Sequence, residues 1–379
     1  MKKPANLYPL YRPTWAQVDL RAVAANYRRL KRLAGPRTEL LPVVKGDAYG
    51  HGMLQVAAVL DALGAKFFGV SDVEEGIILR QSGFRQTTLL FESTLPTDAP
   101  LIAEYDLTPT ICTFELADAL NAHARSVDWV IDVHVEIDTG MGRLGVWHED
   151  AKEFIGRLIK RCHHLKVKGL FTHFPVAESD QRFTRSQIKN LDRVVRSMDK
   201  EGLVVPFVHA ANSMGIADYR SSVLNLARPG LMLYGLYPEE RIKRKIRLSP
   251  VLSVHSRIMF IKKVPRGRSI SYGRTFVARR PMTIATVAVG YRDGYLRCLS
   301  NRSSVLVAGR RCPVVGRVTM DQIMIDVSRV ARARVGQEVV VLGRQGREEI
   351  SAGELAKLAG TISYEIVTSL GNRIGRVHR

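Results

Sequence analysis

The stretch Val43-Val44-Lys45-Gly46-Asp47-Ala48-Tyr49-Gly50-His51-Gly52 sets an amine at the mouth of an apolar run. Leu40 to Val44 reads as a buried strand, after which the chain turns through three glycines within seven residues. A lysine in that place is costly unless it is paired, snorkels to water or is used covalently. The covalent use that fits is a Schiff base to pyridoxal phosphate, which neutralises the amine and makes it a catalytic group. The glycines and Tyr49 favour that use over a snorkelling surface lysine, because a phosphate needs close backbone approach and hydroxyl donors.

Further polar groups close other apolar runs. In Val133-His134-Val135-Glu136-Ile137-Asp138 the alternation puts His134, Glu136 and Asp138 on one face. Burying the two carboxylates asks for a cationic partner. Arg143 follows at once, in Thr139-Gly140-Met141-Gly142-Arg143-Leu144-Gly145. His173 ends the run Phe171-Thr172-His173, His209 opens His209-Ala210-Ala211-Asn212-Ser213, and Arg228 opens Arg228-Pro229-Gly230. Taken singly, each also fits a satisfied core histidine, a helix cap or a surface arginine. Together they read as one site.

Such groups need a scaffold that gathers strand ends. Apolar strands are expected at 40–44, 67–70, 88–91, 107–111, 130–137, 167–172, 204–210 and 223–227. Helices are expected at 21–34, 53–63, 114–124, 150–162 and 180–201, between or beside them. Eight strands alternating with helices suggest an α/β fold, a (β/α)8 TIM-type barrel in preference to an open doubly wound sheet with the same alternation, and in such a barrel active sites form at the C-terminal strand ends. After Gly235 the texture becomes β-rich, at 252–264, 283–289, 303–307, 323–327 and 338–342. Ser351-Ala352-Gly353-Glu354 reads as a capping box opening one helix. The expected domains are therefore a barrel over 14–240 and a mainly-β domain over 241–379.

A chain of 379 residues with 46% hydrophobic and 25% charged residues suits two globular domains. No signal peptide and no apolar run near twenty residues is apparent, so a cytoplasmic protein is expected. The four cysteines, Cys112, Cys162, Cys298 and Cys312, form no Cys-x-x-Cys pair, which argues for a reducing compartment and against zinc. The net charge is +21, and 241–280 holds thirteen Lys or Arg with no Asp or Glu. No aromatic residues interleave with these charges in a stacking pattern, so a solvated basic face is preferred to a nucleic-acid surface.

Val-Lys-Gly-Asp-Ala-Tyr-Gly-His-Gly resembles the cofactor-lysine signature of the alanine racemases, and the resemblance extends over nearly the whole chain. It implies an isomerase that interconverts L- and D-alanine on pyridoxal phosphate, supplying D-alanine for peptidoglycan. It implies an obligate homodimer, with about residues 1–13 joining the β-domain. Lys45 and Tyr272, in Ser271-Tyr272-Gly273-Arg274, match the two acid/base groups, the tyrosine reaching the partner subunit's site. A phenol is a weak base at neutral pH, so help from Arg228 and His209 is expected.

His173 matches the histidine stacked on the cofactor ring, and Arg228 the arginine facing its nitrogen. An arginine cannot give up its proton, which keeps that nitrogen unprotonated and favours simple proton return over transamination. His209 resembles the support of that arginine. Tyr49, Ser213, Gly230, Leu231 and Tyr364 match the phosphate cup. Arg143, Met320, Asp321 and Tyr291 match groups around the substrate carboxylate and the entrance.

The sequence departs from the family at several places. Gly46 replaces a usual alanine, Thr319 a cysteine and Ser363 an asparagine. Glu136 stands where the family carries a lysine, often carbamylated, that orients the substrate-binding arginine; the expectation is that Glu136 supplies this charge directly. The readings that compete are a racemase of broader or different specificity, such as serine, and a non-catalytic carrier of the cofactor. The second leaves Tyr272 and Met320-Asp321 without a purpose.

Overall fold

The computed structural model describes residues 12–379, which fold as two compact units. The larger unit comprises 23–48 and 53–248; the other comprises the described residues up to Ala22, then 49–52 and 249–379.

In the larger unit eight short parallel strands follow one another around a ring. Glu39–Leu40 pairs with Leu226–Ala227, and Val43 bridges to Gly69 in the strand Phe67–Val70. That strand pairs with Thr87–Leu90, which bridges through Leu89 to Thr108 just before Thr110–Ile111. Then come Ile131–Asp138, Leu165–Phe171 and Phe207–His209. The ring closes where Arg228 N donates to Ala211 O at 2.8 Å and Val208 N to Asn225 Oδ1 at 2.9 Å. This is the barrel that the alternation suggested.

Val133, Val135 and Ile137 are wholly buried under the surrounding helices, as are Leu89 and Leu90. Two glycines make room inside the ring. A Cβ on Gly69 would meet Phe91 at 2.4 Å, and one on Gly169 would meet the His134 ring at 2.4 Å. The helices begin where side chains cap them. Asp72 accepts from Glu75 N (3.0 Å) before Val73–Gln81, and Asp180 from Phe183 N (2.9 Å) before Gln181–Asp199. On the latter, Thr184, Gln187, Leu191, Val194 and Met198 form the buried stripe.

Several strands are shorter than the apolar runs that announced them. The expected 107–111 narrows to Thr110–Ile111, because Asp106 turns at φ 48°. The expected 223–227 narrows to Leu226–Ala227, because Arg220–Ser222 is a tight turn in which Ser222 donates to Tyr219 O (2.7 Å).

The other unit is built on a nine-stranded sheet. Its spine is Leu252–Val264, which pairs with Met282–Val287 and Glu338–Gln345, both antiparallel. The strand Trp15–Val18 lies antiparallel to Leu252–His255 and parallel to Gly375–His378. The expected barrel start at residue 14 therefore moves: residues 15–18 are strand partners in this sheet. Residues 1–11, expected to join the same domain, lie outside the described residues. The capping signal at Ser351 is met on one side, Glu354 N donating to its hydroxyl at 3.0 Å ahead of Ala352–Ala359. No helix among the described residues is long and apolar enough to cross a membrane.

Candidate active site

Lys45 opens a helical turn of the wrong hand. Gly46, Asp47, Ala48, Tyr49 and Gly50 have φ of 62°, 53°, 54°, 56° and 78°. A left-handed turn costs each L-residue about 1–2 kcal/mol, so the three non-glycines store several kcal/mol. Named contacts hold it. Ala48 N donates to Val44 O (2.7 Å), and Met53 N to Asp47 Oδ1 (2.8 Å). Gly46 N and Asp47 N both donate to Glu75 Oε1, at 2.6 and 3.4 Å.

Burial first, then the charge of Arg143, lowers the Lys45 pKa, while Glu92, Glu75 and Glu136 pull it up. The net shift is downward, which makes the amine easier to deprotonate than a solvated lysine.

Inside the same barrel Arg228, 2% exposed, organises a chain of hydrogen bonds. One guanidinium nitrogen donates to His209 Nδ1 at 2.7 Å and to His209 O at 3.0 Å. The other donates to Thr172 O (2.7 Å), Ala210 O (3.1 Å) and His173 Nδ1 (3.4 Å). An arginine only donates, so His209 Nδ1 must accept and its proton must sit on Nε2. That nitrogen lies 2.9 Å from His134 Nδ1, to which it donates. The tautomers of two buried histidines are thus dictated by one cation.

Burial and the Arg228 charge take His134 down to about 3 and His209 well below its ordinary value. His173 is pulled to about 3 by burial, Arg228, Arg143 and Lys45. Arg228 itself falls to about 10, mainly through burial, with Glu136 opposing the shift.

The carboxylates behave differently from each other. Asp138 meets no cation among the described residues; its oxygens accept from Gly140 N, Met141 N and Gly142 N, each at 2.8 Å, and so shape the loop that carries Arg143. The expected cationic partner is replaced there by three backbone donors. Glu136 is 2% exposed and its Oε2 has no hydrogen-bond partner among the described residues. Burial raises its pKa to about 7 against the pull of Arg143 and Arg228. Glu136 and the exposed Arg143 form no direct ion pair in this structure, so the expected orienting contact is reduced to an attraction at a distance.

Ser213 begins the short helix Ser213–Asp218, capped by Asn212, which accepts from Gly215 N (2.9 Å). The Ser213 hydroxyl accepts from Gly230 N (3.1 Å) and Met232 N (3.2 Å). Gly230 N–H, expected to face a phosphate, is therefore spent on this hydroxyl, whose own proton is given to no acceptor among the described residues. Leu231 follows, wholly buried.

In the other unit Tyr49 and Tyr364 meet at 5.8 Å between ring centroids, and burial raises the pKa of the Tyr49 hydroxyl. Tyr272 is 70% exposed, on a strained turn: Ser271 has φ 65° and ψ −176°, a region that glycine occupies, and Arg274 has φ 49°. Ser271 donates to Arg317 O at 2.6 Å and so ties that turn to the chain leading into Met320.

Tyr291 and Met320 belong to two loops laced together by Tyr291 N to Thr319 O (3.0 Å) and Arg292 N to Met320 O (3.1 Å). A Cβ on Gly290 would lie 2.4 Å from either carbonyl, so only glycine permits this approach. Asp321 pairs with Arg373 at 2.5 Å, which holds its carboxyl below the usual range. Two residues that sequence reasoning left without a role emerge here. His134 was signalled by its alternation with Glu136; Glu75, in the first turn of the helix Val73–Gln81, carried no signal in the sequence.

The chain matches the family models "Alanine racemase, N-terminal domain" over residues 18–238 and "Alanine racemase, C-terminal domain" over 251–378. It is similar to the alanine racemase of Halothermothrix orenii, with 42% identity over 97% of each chain. Against that of Carboxydothermus hydrogenoformans the identity is 41%, covering 97% of this chain and all of the relative. Among solved structures, the alanine racemase of Clostridium difficile superposes with a TM-score of 0.91 at 34% identity, covering 97% of this chain and 96% of that one. The Bacillus anthracis alanine racemase with bound L-Ala-P gives 0.91 at 35%, covering 97% and 95%. With both domains matched and relatives this similar over full length, the chain belongs to the alanine racemase family.

Proposed function

We propose that the chain interconverts L- and D-alanine on pyridoxal phosphate carried by Lys45, between two bases drawn from two copies of the chain. The observation that carries this reading is the Lys45 amine itself, held on a left-handed turn, pushed toward neutrality, and set in the field of Arg143 and Glu136. The residues present fit the cofactor. The Ser213 hydroxyl, fed by two backbone N–H groups, has its proton left to give to a phosphate oxygen. Tyr49, Tyr364 and Leu231 are assigned to the same cup by the family resemblance, while Gly230 acts through Ser213, to which its N–H is given. Pyridoxal phosphate, when bound, supplies an aldehyde that condenses with amines and a ring that spreads the electron pair left at Cα.

The chain's own groups do the rest. Lys45 holds the cofactor, and once released takes or returns a proton on one face of Cα. Tyr272 serves the opposite face. Its exposure, on a turn that stores strain to present it, suits a residue used by a second copy. Arg228 is pinned by five acceptors, three carbonyls and two imidazoles, with His209 as its support. It donates without ever surrendering a proton, and His173 packs beside it. Arg143 binds the substrate carboxylate, Met320 and Asp321 border it, and Tyr291 narrows the approach.

Purified protein supplied with pyridoxal phosphate and reduced with borohydride should carry a stable label on Lys45, and the same preparation should exchange D- and L-alanine. An unlabelled Lys45 overturns the reading.

Glu136 is proposed to provide the anion that steadies Arg143. With its pKa near 7, the anion prevails above neutrality and disappears below it. Glu136→Gln should raise KM for alanine about tenfold at pH 8.5 and change it little at pH 6, about one pKa unit's worth of interaction. Steady-state kinetics at the two pH values measure this; unchanged KM and turnover at both would remove Glu136 from the site.

A further inference from the structure

We propose that Glu75 is a positioning residue for Lys45: its carboxylate fastens the first amide groups of the left-handed turn and so fixes the path by which the amine leaves the barrel wall. This rests on the reading of Lys45 as the cofactor-bearing amine.

Glu75 lies on the helix Val73–Gln81, 30 residues beyond Lys45, yet its Oε1 takes Gly46 N at 2.6 Å and Asp47 N at 3.4 Å. Its Oε2 takes Ser71 N at 2.8 Å. Ser71 directly follows the strand Phe67–Val70, so one carboxylate joins the mouths of two neighbouring barrel strands. The side chain is not needed to close its own helix, because Asp72 already accepts from Glu75 N at 3.0 Å. What it secures instead is the entry to five consecutive residues at positive φ. The two N–H groups it holds are those that a return to right-handed backbone would redirect, and Lys45 is the residue immediately before them. Its negative charge also acts on the Lys45 amine, together with Glu92 and Glu136 and against Arg143. Burial first, then the like charge of Asp72, raise the pKa of Glu75 itself against its three backbone N–H bonds.

The geometry gives a sharp test. Both carboxylate oxygens accept N–H donors, so glutamine cannot replace the clamp: one end of its amide would set donor against donor. Aspartate keeps the charge but falls one methylene short. Protein stripped of cofactor is mixed with pyridoxal phosphate across pH 6–10 and quenched with borohydride at intervals, and labelling of Lys45 is followed by mass spectrometry. Glu74→Gln, an exposed neighbour, controls for a bare change of charge.

Glu75→Gln should label about tenfold more slowly, and its half-maximal pH should fall by about one unit, because a lost anion makes the amine easier to deprotonate. Glu75→Asp should be slowed while keeping the parental pH midpoint, and it carries the test should the glutamine variant fail to fold. Parental rates and midpoints in the folded variants would overturn the proposal and leave the Lys45 reading intact. Absence of label in the parent would overturn the Lys45 reading instead.

Discussion

Lys45→Ala and Tyr272→Phe should each racemise alanine at less than about a thousandth of the parental rate, and a re-equilibrated mixture of the two should recover roughly a quarter of it. On the proposed two-base mechanism each variant lacks one of the two groups flanking Cα, so no homodimer of either would have a complete site. If sites are shared, a hybrid dimer combines both lesions in one site and leaves the other whole. Random exchange makes about half the dimers hybrids, with one working site of two, hence roughly a quarter. The check is an alanine exchange assay after mild dissociation and reassociation, with the unmixed variants treated identically. No regain would mean that both bases come from a single chain. The test also separates a catalytic Tyr272 from one that merely packs, because a packing defect would persist in the hybrid.

Arg228→Ala should cost about 3–5 kcal/mol of stability at neutral pH. It strands the Thr172, His209 and Ala210 carbonyls in the barrel interior, each an acceptor whose desolvation would then go uncompensated. Chemical denaturation measures the loss. Arg228→Lys should recover only part of it, since a point charge cannot reproduce the planar fork.

The same variant should change the response to acid. His134, His173 and His209 are held neutral in the fold, two of them at about 3, whereas an unfolded histidine titrates near 6.5. Between these values the unfolded chain binds more protons, so the stability the three contribute is complete above pH 6.5 and drains away as pH falls toward 3. Each contributes a slope of up to about 1.4 kcal/mol per pH unit. Glu136 works with the opposite sign: its folded pKa lies above the ordinary carboxyl value, so between about 4.5 and 7 the fold holds the extra proton and offsets one histidine. Removing Arg228 removes a shared depressant of all three histidines and should flatten the acid limb. An acid limb as steep as the parent's would detach the histidines from this cation.

Much of this was legible because polar residues at the ends of apolar strands are conspicuous. Lys45, Glu136, His173, His209 and Arg228 all interrupt runs that otherwise want to be buried, and the structure gathers them into the barrel unit. What could not be read was backbone hand and backbone satisfaction. Asp47, Ala48 and Tyr49 do not favour positive φ, and only contacts with distant residues such as Glu75 impose it. Glu75 itself sits in the first turn of a helix, where an acidic residue is ordinary, and nothing in its sequence context points back to Lys45. Asp138 seemed to need a cation because three successive amides curling back on it leave no trace in residue type. The domain boundary at residue 14 moved for a similar reason: Trp15–Val18 joins the β-rich unit only through partners more than two hundred residues away.

That last pairing bears on how the molecule is made. Trp15–Val18 lies between a strand from the middle of the chain and one formed by residues 375–378. A nascent chain holds the barrel strands by residue 227, while the sheet still lacks both neighbours of Trp15–Val18. During translation the first of these strands must wait, one edge uncovered, until residues 375–378 have left the ribosome. A stalled or truncated product would therefore expose a sticky flank, and quality-control proteases would have an early-made segment to seize.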